Sequence, residues 1–411
     1  MAVTRARPSK VFFTVVASQF LSSMADNALL IAAIGLLMQR HAAEWTAPAL
    51  RLFFYLSYVV LAAFAGAVAD ALPKSRVMLL TNLVKCAGCV LLLLQVHPLL
   101  AYALVGAGAA AYSPAKYGIL PELLPADQLV SANAWIEAST VLSILLGVLL
   151  GSVLLDEANA LPQWGGTRAS TAVLFIGVVY LLSVLCAAAI PHGKPSNPAA
   201  LGNLQALPRE FFRSWLILWR DRQSQASLAV TSLFWAASAT LQFMVLRWAE
   251  RVLQLALSEA ALLQAAVAIG MVTGAVAAAR WIPMRRALSV LPLGVAVGLI
   301  VLGMAWVTQV WVAVLLLVCI GALSGLVVVP MNALLQHRGQ LLMHSGQSIA
   351  VQNFNESLVS LVFLAMYGAL LYFEVALLDS IIGFGLFVCA AMLLILVGRW
   401  TRVRAVGYLD P

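Results

Sequence analysis

Apolar residues in this chain do not alternate with polar ones; they run in blocks of about twenty, the length that carries an α-helix across the hydrocarbon of a bilayer. Polar and charged residues gather in the short gaps between blocks. Read this way, the pattern predicts twelve spans, over 11–38, 47–69, 76–95, 98–120, 129–155, 170–190, 226–249, 258–280, 287–306, 309–336, 346–372 and 375–398. A transmembrane β-barrel would need a series of short segments with a two-residue period, and the sequence holds no such series. The expected fold class is an all-α polytopic membrane protein.

The longest polar gap divides the spans six and six. It sets out an N-terminal six-helix half over 1–190, a cytoplasmic linker over 191–225 and a C-terminal six-helix half over 226–411. Within the linker, "LQALPREFFRSWLILWRDR" brings Leu207, Phe211, Trp215 and Leu218 round at three- and four-residue steps beside Arg209, Arg213 and Arg220. That periodicity predicts an amphipathic helix lying flat on the inner membrane surface.

The halves echo each other. "GAVADALPKSR" from Gly66 has a counterpart in "GAVAAARWIPMRR" from Gly274, and "SPAKYGILPEL" in "VPMNALLQHRG". "NAWIEAS" from Asn133 is matched by "QNFNES" from Gln352, which sets Glu137 against Glu356. Three weak matches in the same order point to a six-plus-six duplication. A duplicated twelve-span chain with a long central loop fits alternating access, with a site between the halves.

Composition sharpens the class. Hydrophobic residues make up 63% of the 411 and charged ones 10%, against about 25% in soluble domains. The formal charge of +8 would suit a nucleic-acid partner, but the basic residues sit at span ends, so none is expected. Arg5, Arg7, Lys10, Lys74, Arg76, Arg285, Arg286, Arg399, Arg402 and Arg404 all fall on the side that the positive-inside rule makes cytoplasmic, together with both termini. The first apolar run is too long for a cleaved signal peptide. Cys86 and Cys89 form a CxxC one helical turn apart inside a span, with no second pair. They read as packing residues, and no metal or cofactor is expected.

Candidate chemistry starts in span 1. Gln19, Ser22, Ser23, Asp26 and Asn27 share one helical face, and Asp26 lies about 22 Å along from Val11, near the bilayer midplane. A carboxylate there costs about 2.5–3.5 kcal/mol on insertion scales, so it is expected to face a polar cavity and to meet a cation. In span 4, Ser113, Lys116 and Tyr117 share a face just past Pro114. Lys116 has three readings: a site cation, a side chain snorkelling to the interface, or the partner of Glu137. Lys85 with Glu137 is expected as a buried ion pair. Span 11 offers Gln352, Asn355 and Glu356 on one face, with Asn353 pointing elsewhere, and span 7 offers Gln242, with Arg247 towards its outer end.

"GAVADALPKSR" follows a different logic. Gly66 permits close helix approach, Asp70 sits at a helix end, and Lys74 and Arg76 follow in a tight loop. The spacing resembles the signature loop of the major facilitator superfamily, which implies gating rather than substrate contact. "MADNALL", "GAGAAAYSPAKYGIL", "TSLFW", "VPMNALLQ" and "SIAVQN" extend the resemblance, nearly end to end, to one branch of that superfamily: the bacterial lysophospholipid transporters of the Gram-negative inner membrane. The resemblance implies a monomer that flips lysophospholipids, chiefly lysophosphatidylethanolamine, from outer to inner leaflet. There a cytoplasmic acyltransferase/acyl carrier protein synthetase re-acylates them. It carries a site role over to Asp26 and Lys116. A zwitterionic headgroup wants a cation for its phosphate and an anion for its ammonium, so Lys116 is expected on the first and Asp26 on the second. The family's span-7 arginine is replaced here by Gln242, so either Arg247 substitutes or headgroup recognition differs.

Two other functions compete. A proton-coupled exporter of drugs or other small molecules shares the fold and would use Asp26 as proton carrier. A lipid acyltransferase would commonly need His and Asp five residues apart, and none of His41, His97, His192, His337 or His344 has that aspartate. With no nucleophile–base pair or nucleotide loop either, a non-enzyme is expected.

Overall fold

In hydrocarbon the backbone polar groups have no water to bond, so a long apolar run is stable only as a helix that satisfies them internally. The computed structural model describes residues 10–42, 46–155, 167–255 and 257–407. Arg5 and Arg7, on which part of the topology reading rests, lie outside the described residues, as do the side chains of Arg399, Arg402 and Arg404.

Each expected span is met by helix. The first half carries α1 (Lys10–Gln39), α2 (Thr46–Val60), α3 (Ala62–Ala71), α4 (Lys74–Leu93), α5 (Pro98–Gly118), a one-turn α6 (Leu120–Leu123), α7 (Leu129–Leu155) and α8 (Arg168–Ala188). The linker forms α9 (Leu207–Arg220). Then follow α10 (Arg222–Arg251), α11 (Leu257–Trp281), α12 (Leu291–Gly303), α13 (Val310–Leu342), α14 (Ser345–Tyr372) and α15 (Leu377–Gly407). Tight turns of 3₁₀ helix over Met284–Val290 and Met304–Trp306 lengthen α12 to a full span.

Among the described residues, ten of these helical stretches are long and apolar enough to cross a membrane, and α2 with α3, bent by 61° at Leu61, makes an eleventh. The twelfth is α5. Its run "GAGAAAYSPAKYG" trades leucine for glycine, alanine, tyrosine and lysine, which lowers its hydropathy while most of its length is buried among neighbouring helices.

The residues pack as two compact units. One comprises Met1–Pro125, Ser139–Leu216 and Gly339–Phe354, the other Ala126–Ala138, Ile217–Arg338 and Asn355–Pro411. In the first, α4 lies between α5 and α8, α1 packs on α8, and α2 packs on α5, around a core that includes Leu29, Leu50, Tyr102, Ile176 and Tyr180. In the second, α12 packs along α15 around Trp248, Leu291, Met304 and Met392. There α11 and α13 meet backbone to backbone: Gly270 and Gly274 face Val318 and Ala322, and Gly321 and Gly325 face Val267 and Met271. Lipid tails offer no hydrophobic contrast to drive helices together, so a close crossing of small residues does it by packing instead.

In the linker helix the expected apolar stripe faces the protein. Leu207, Phe211 and Leu218 are buried against the chain itself, and the Phe211 ring stands edge-on to Phe354 at 5.4 Å. The stripe read as a membrane face is a packing face. Periodicity tells that a helix needs an apolar partner on one side, not which partner it finds.

Candidate functional site

Asp26 is ion-paired within the protein, to Lys85 and not to Lys116. The Lys85 Nζ donates to Asp26 Oδ2 at 2.8 Å, while the Tyr180 hydroxyl donates to Oδ1 at 2.6 Å. The Tyr102 hydroxyl reaches the Asp26 backbone carbonyl at 3.4 Å. Asp26 keeps 15% of its side chain exposed and Lys85 only 1%, so the carboxylate is the open member of the pair.

Several elements converge to make burial of Lys85 tolerable. A Cβ on Gly108 would stand 2.9 Å from Lys85 Cγ, so the glycine gives the lysine stem its room beside α5. The ammonium sits over the Tyr112 ring, 5.0 Å from its centre, and 5.9 Å from that of Tyr180, where the π faces favour a cation. A third partner, Ser22 Oγ, accepts from Nζ at 2.9 Å. From Ser22 a row of hydrogen bonds continues between α1, α4 and α8. Ser22 donates to Asn82 Oδ1 at 2.7 Å, Asn82 Nδ2 donates to Ser183 Oγ at 2.8 Å, and Ser183 donates to the Ser18 carbonyl at 2.8 Å. Each member is buried and each is satisfied, as a polar row in an apolar bundle must be.

The rest of the α1 stripe is divided among neighbours. Gln19 bridges to α7, donating to Thr140 at 2.5 Å and accepting from Ser139 at 3.0 Å. Asn27 turns back on its own helix, donating to the Ser23 carbonyl at 2.8 Å. Beside it, a Cβ on Gly147 would meet Asn27 Cβ at 2.9 Å, which sets α7 directly against α1 at this depth. On α5, Lys116 is half-buried, its Nζ 4.1 Å from the centre of the Tyr117 ring. Ser113 donates to Asn353 Oδ1 at 3.2 Å. Asn353 lies off the polar face expected of α14, yet this buried amide is what Ser113 touches, and its Nδ2 has no acceptor among the described residues.

The expected Lys85–Glu137 pair gives way to these contacts. Glu137 belongs to the second unit, where its Oε1 accepts from Asn332 Nδ2 at 3.1 Å. One turn away, Asn133 and Gln336 exchange two amide hydrogen bonds of 2.8 Å. The four residues form two rungs between α7 and α13, polar pairs four residues apart on each helix. The same spacing stands in the sequence, in "NAWIE" and "NALLQ". The Lys85–Glu137 pairing failed because it assumed level depths, whereas a lysine stem spans more than a helical turn and delivered its charge to Asp26.

Other second-unit candidates are spread out. Asn355 accepts from Trp219 Nε1 of the linker helix at 3.4 Å, and Glu356 is half-buried. The half-buried Gln242 accepts from Gln264 Nε2 at 2.9 Å through its backbone carbonyl, and Arg247 one turn on is half-buried too. Gln352, which packs with the first unit, is buried.

The loop between α3 and α4 forms a separate constellation. Asp70 lies over the N-terminus of α14: Oδ1 accepts from the Gly346 N–H and Oδ2 from the Gln347 N–H, both at 2.8 Å. First-turn amides have no partner within their own helix and the helix dipole favours an anion there, so the carboxylate satisfies both at once. Gly66 and Gly346 make the approach possible. A Cβ on Gly66 would meet Ala350 Cβ at 2.9 Å, and one on Gly346 would meet Asp70 Oδ1 at 2.7 Å. Lys74 donates to Glu122 at 2.5 Å and to Ser196 at 2.7 Å, with Asp70 3.7 Å away, whereas Arg76 is exposed.

Comparison with known proteins places this arrangement. The model of the Major Facilitator Superfamily matches residues 13–364. The chain is similar to "Lysophospholipid transporter LplT" of Serratia proteamaculans (strain 568), 41% identical over 360 residues, which cover 87% of this chain and 88% of that one. It is equally similar to the protein of that name from Yersinia pestis (strain Pestoides F), at 41% identity over 87% of this chain and 86% of the other. Among solved structures it resembles FucP, a Major Facilitator Superfamily transporter in the outward conformation, with a TM-score of 0.72 at 14% identity, covering 93% of this chain and 97% of that one. The human organic anion transporter MFSD10 gives 0.73 at 18% identity, covering 94% and 100%. These last two likenesses concern the fold alone.

Proposed function

We propose, from the premise that this chain belongs to the lysophospholipid transporter family of the major facilitator superfamily, that it carries lysophospholipids, chiefly lysophosphatidylethanolamine, from the outer to the inner leaflet of a bacterial inner membrane. Both termini lie in the cytoplasm, and the delivered lipid is re-acylated there by a separate acyltransferase/acyl carrier protein synthetase. The chain acts as a monomer, as a carrier and not as an enzyme.

The observation that carries the reading is the Asp26–Lys85 pair. It sets both signs of charge deep in an otherwise apolar bundle and leaves the carboxylate side open. A neutral pair neither attracts nor repels a zwitterion as a whole, so it admits a headgroup with phosphate and ammonium side by side. The lipid ammonium takes the remaining lone pairs of Asp26, and Lys116 supplies the cation for the phosphate. Lys85 is a positioning residue: it holds Asp26 Oδ2 and aims the carboxylate. Asn27, Ser113, Tyr117, Gln242, Gln352, Asn355 and Glu356 remain candidates for the polar lining. The Asp70 cap on α14 is the cytoplasmic latch, with Gly66 of α3 and Lys74 and Arg76 of α4 beside it, and it releases when the path opens inward.

The test is uptake of radiolabelled lysophosphatidylethanolamine by spheroplasts of a strain lacking its own transporter. Expression of this chain restores uptake, and Asp26→Asn or Lys116→Ala abolishes most of it. Unchanged uptake in both variants would refute the site assignment. No uptake with the native chain, together with a change in drug tolerance, would favour a small-molecule exporter instead.

A further inference from the structure

The linker helix α9 has a second face. Its packing face is taken by Leu207, Phe211, Ser214 and Leu218, all buried. On the other side Phe212 is 59% exposed and Leu216 40% exposed, and Arg209, Arg213 and Arg220 are exposed with them. At 100° per residue these five side chains fall within an arc of about 100°, Phe212 and Leu216 at one margin and the arginines at the other. Trp215, half-buried, flanks the apolar margin, and Glu210, the helix's one acid, lies beyond Arg213. The strip therefore carries three positive charges and two large apolar side chains that the protein does not cover.

No single solvent suits such a strip. Water leaves Phe212 and Leu216 unburied, and lipid tails leave three guanidinium groups unsolvated. The boundary between headgroups and acyl chains suits both, with the rings dipping inward and the arginines on the phosphates. The helix is also held at that level. It ends at Arg220, one residue before the membrane helix α10, and the intervening Asp221 caps α10 through Ser224 and is ion-paired to Arg338 of α13 at 2.5 Å. The sign of the charge then selects the lipid. In a zwitterionic headgroup the lipid's own cation neutralises the phosphate, whereas an anionic phosphodiester keeps its charge for the forked, bidentate guanidinium.

We propose that the Arg209–Arg213–Arg220 face of α9, with Phe212 and Leu216, is a binding site for anionic phospholipids of the leaflet on the linker's side, separate from the Asp26 site. It holds two-tailed bilayer lipid as a ligand of the linker and is not a step in carrying the transported one.

The full-length protein reconstituted in phosphatidylcholine vesicles tests this directly. The emission of Trp215, taken as the difference between the protein and its Trp215→Phe variant, is followed with brominated phosphatidylglycerol or brominated phosphatidylcholine added at equal mole fraction. Phosphatidylglycerol is expected to quench several-fold more effectively. The combined Arg209→Gln, Arg213→Gln and Arg220→Gln variant is expected to lose that preference, while lysine at the three positions keeps most of it. In the unmodified protein, raising the salt concentration weakens the preference too, an arm that needs no variant to fold. Equal quenching by both lipids, quenching by neither, or a preference that survives the glutamine variant would each overturn the proposal. Quenching by neither would point to solvent or a soluble protein as the occupant of the face.

Discussion

Lys85 Nζ stands 2.8 Å from Asp26 Oδ2, so the charge that makes span 1 expensive is neutralised within the same six-helix half. Breaking such a pair from one side is costly, about 3–5 kcal/mol, because it strands the other charge. Lys85→Met is therefore expected to lower the thermal unfolding temperature in detergent markedly. Adding Asp26→Asn to it should recover most of the loss without restoring lysolipid uptake. A double variant no more stable than Lys85→Met would mean that the pair is not the reason.

The contact between Asp70 and the first turn of α14 predicts matching effects from opposite sides. Asp70→Ala removes the cap, and Gly346→Val drives a side chain into the carboxylate. Each should weaken this contact by about 1–2 kcal/mol. Labelling of a cysteine placed at the buried Ser348 by an impermeant maleimide, in inside-out vesicles, is the readout. Both variants should increase it, and Asp70→Glu should increase it less.

The two rungs between α7 and α13 should respond unequally. Asn332→Leu takes a donor from the buried Glu137 carboxylate and is expected to destabilise by about 1–3 kcal/mol. Replacing Asn133 and Gln336 together by leucine removes both ends of a neutral rung and should be nearly silent. Thermal unfolding of the two variants decides this, and a larger loss from the double leucine variant would contradict it.

Asp221 links stability to acid. Burial pushes its carboxyl up, but hydrogen bonds from Arg338 and from the backbone and hydroxyl of Ser224 outweigh that and leave it below the ordinary carboxylate range. A group whose folded pKa is depressed contributes stability above its unfolded value, near 4, and loses it as pH falls through the folded one. The carboxylate is half-buried and still open to water on one side, so the effect is expected to be about half a kcal/mol or less. Asp221→Asn should flatten the fall in unfolding temperature between neutral pH and pH 3 by that margin.

The places where helix would form were legible because each span is an unbroken apolar run bounded by basic or turn residues. Side-chain destinations were less so. Asp26 announced that it needed a cation, but Lys85 and Lys116 both answered to that description, and only Gly108 and the two tyrosine rings show why Lys85 takes the place. Asn353 leaves the face shared by Gln352 and Asn355, yet Ser113 meets it from α5. A face in one helix says which residues look together; it does not say at what. In α9 the same gap reversed a conclusion: Leu207 and Phe211 have the period of a membrane face and the surroundings of a core.

The row from Ser22 to Ser18 runs through an amide. Hydroxyls hand a proton along by donating and accepting in turn, but Asn82 accepts at its oxygen and donates from its nitrogen, and the two do not interchange. With Lys85 holding Ser22 from above and Ser183 taking the nitrogen from below, the amide has a single orientation. A proton at Asp26 thus meets an insulating link one residue into the row, and this buried polar row fastens three helices together without serving as a leak across half the bilayer.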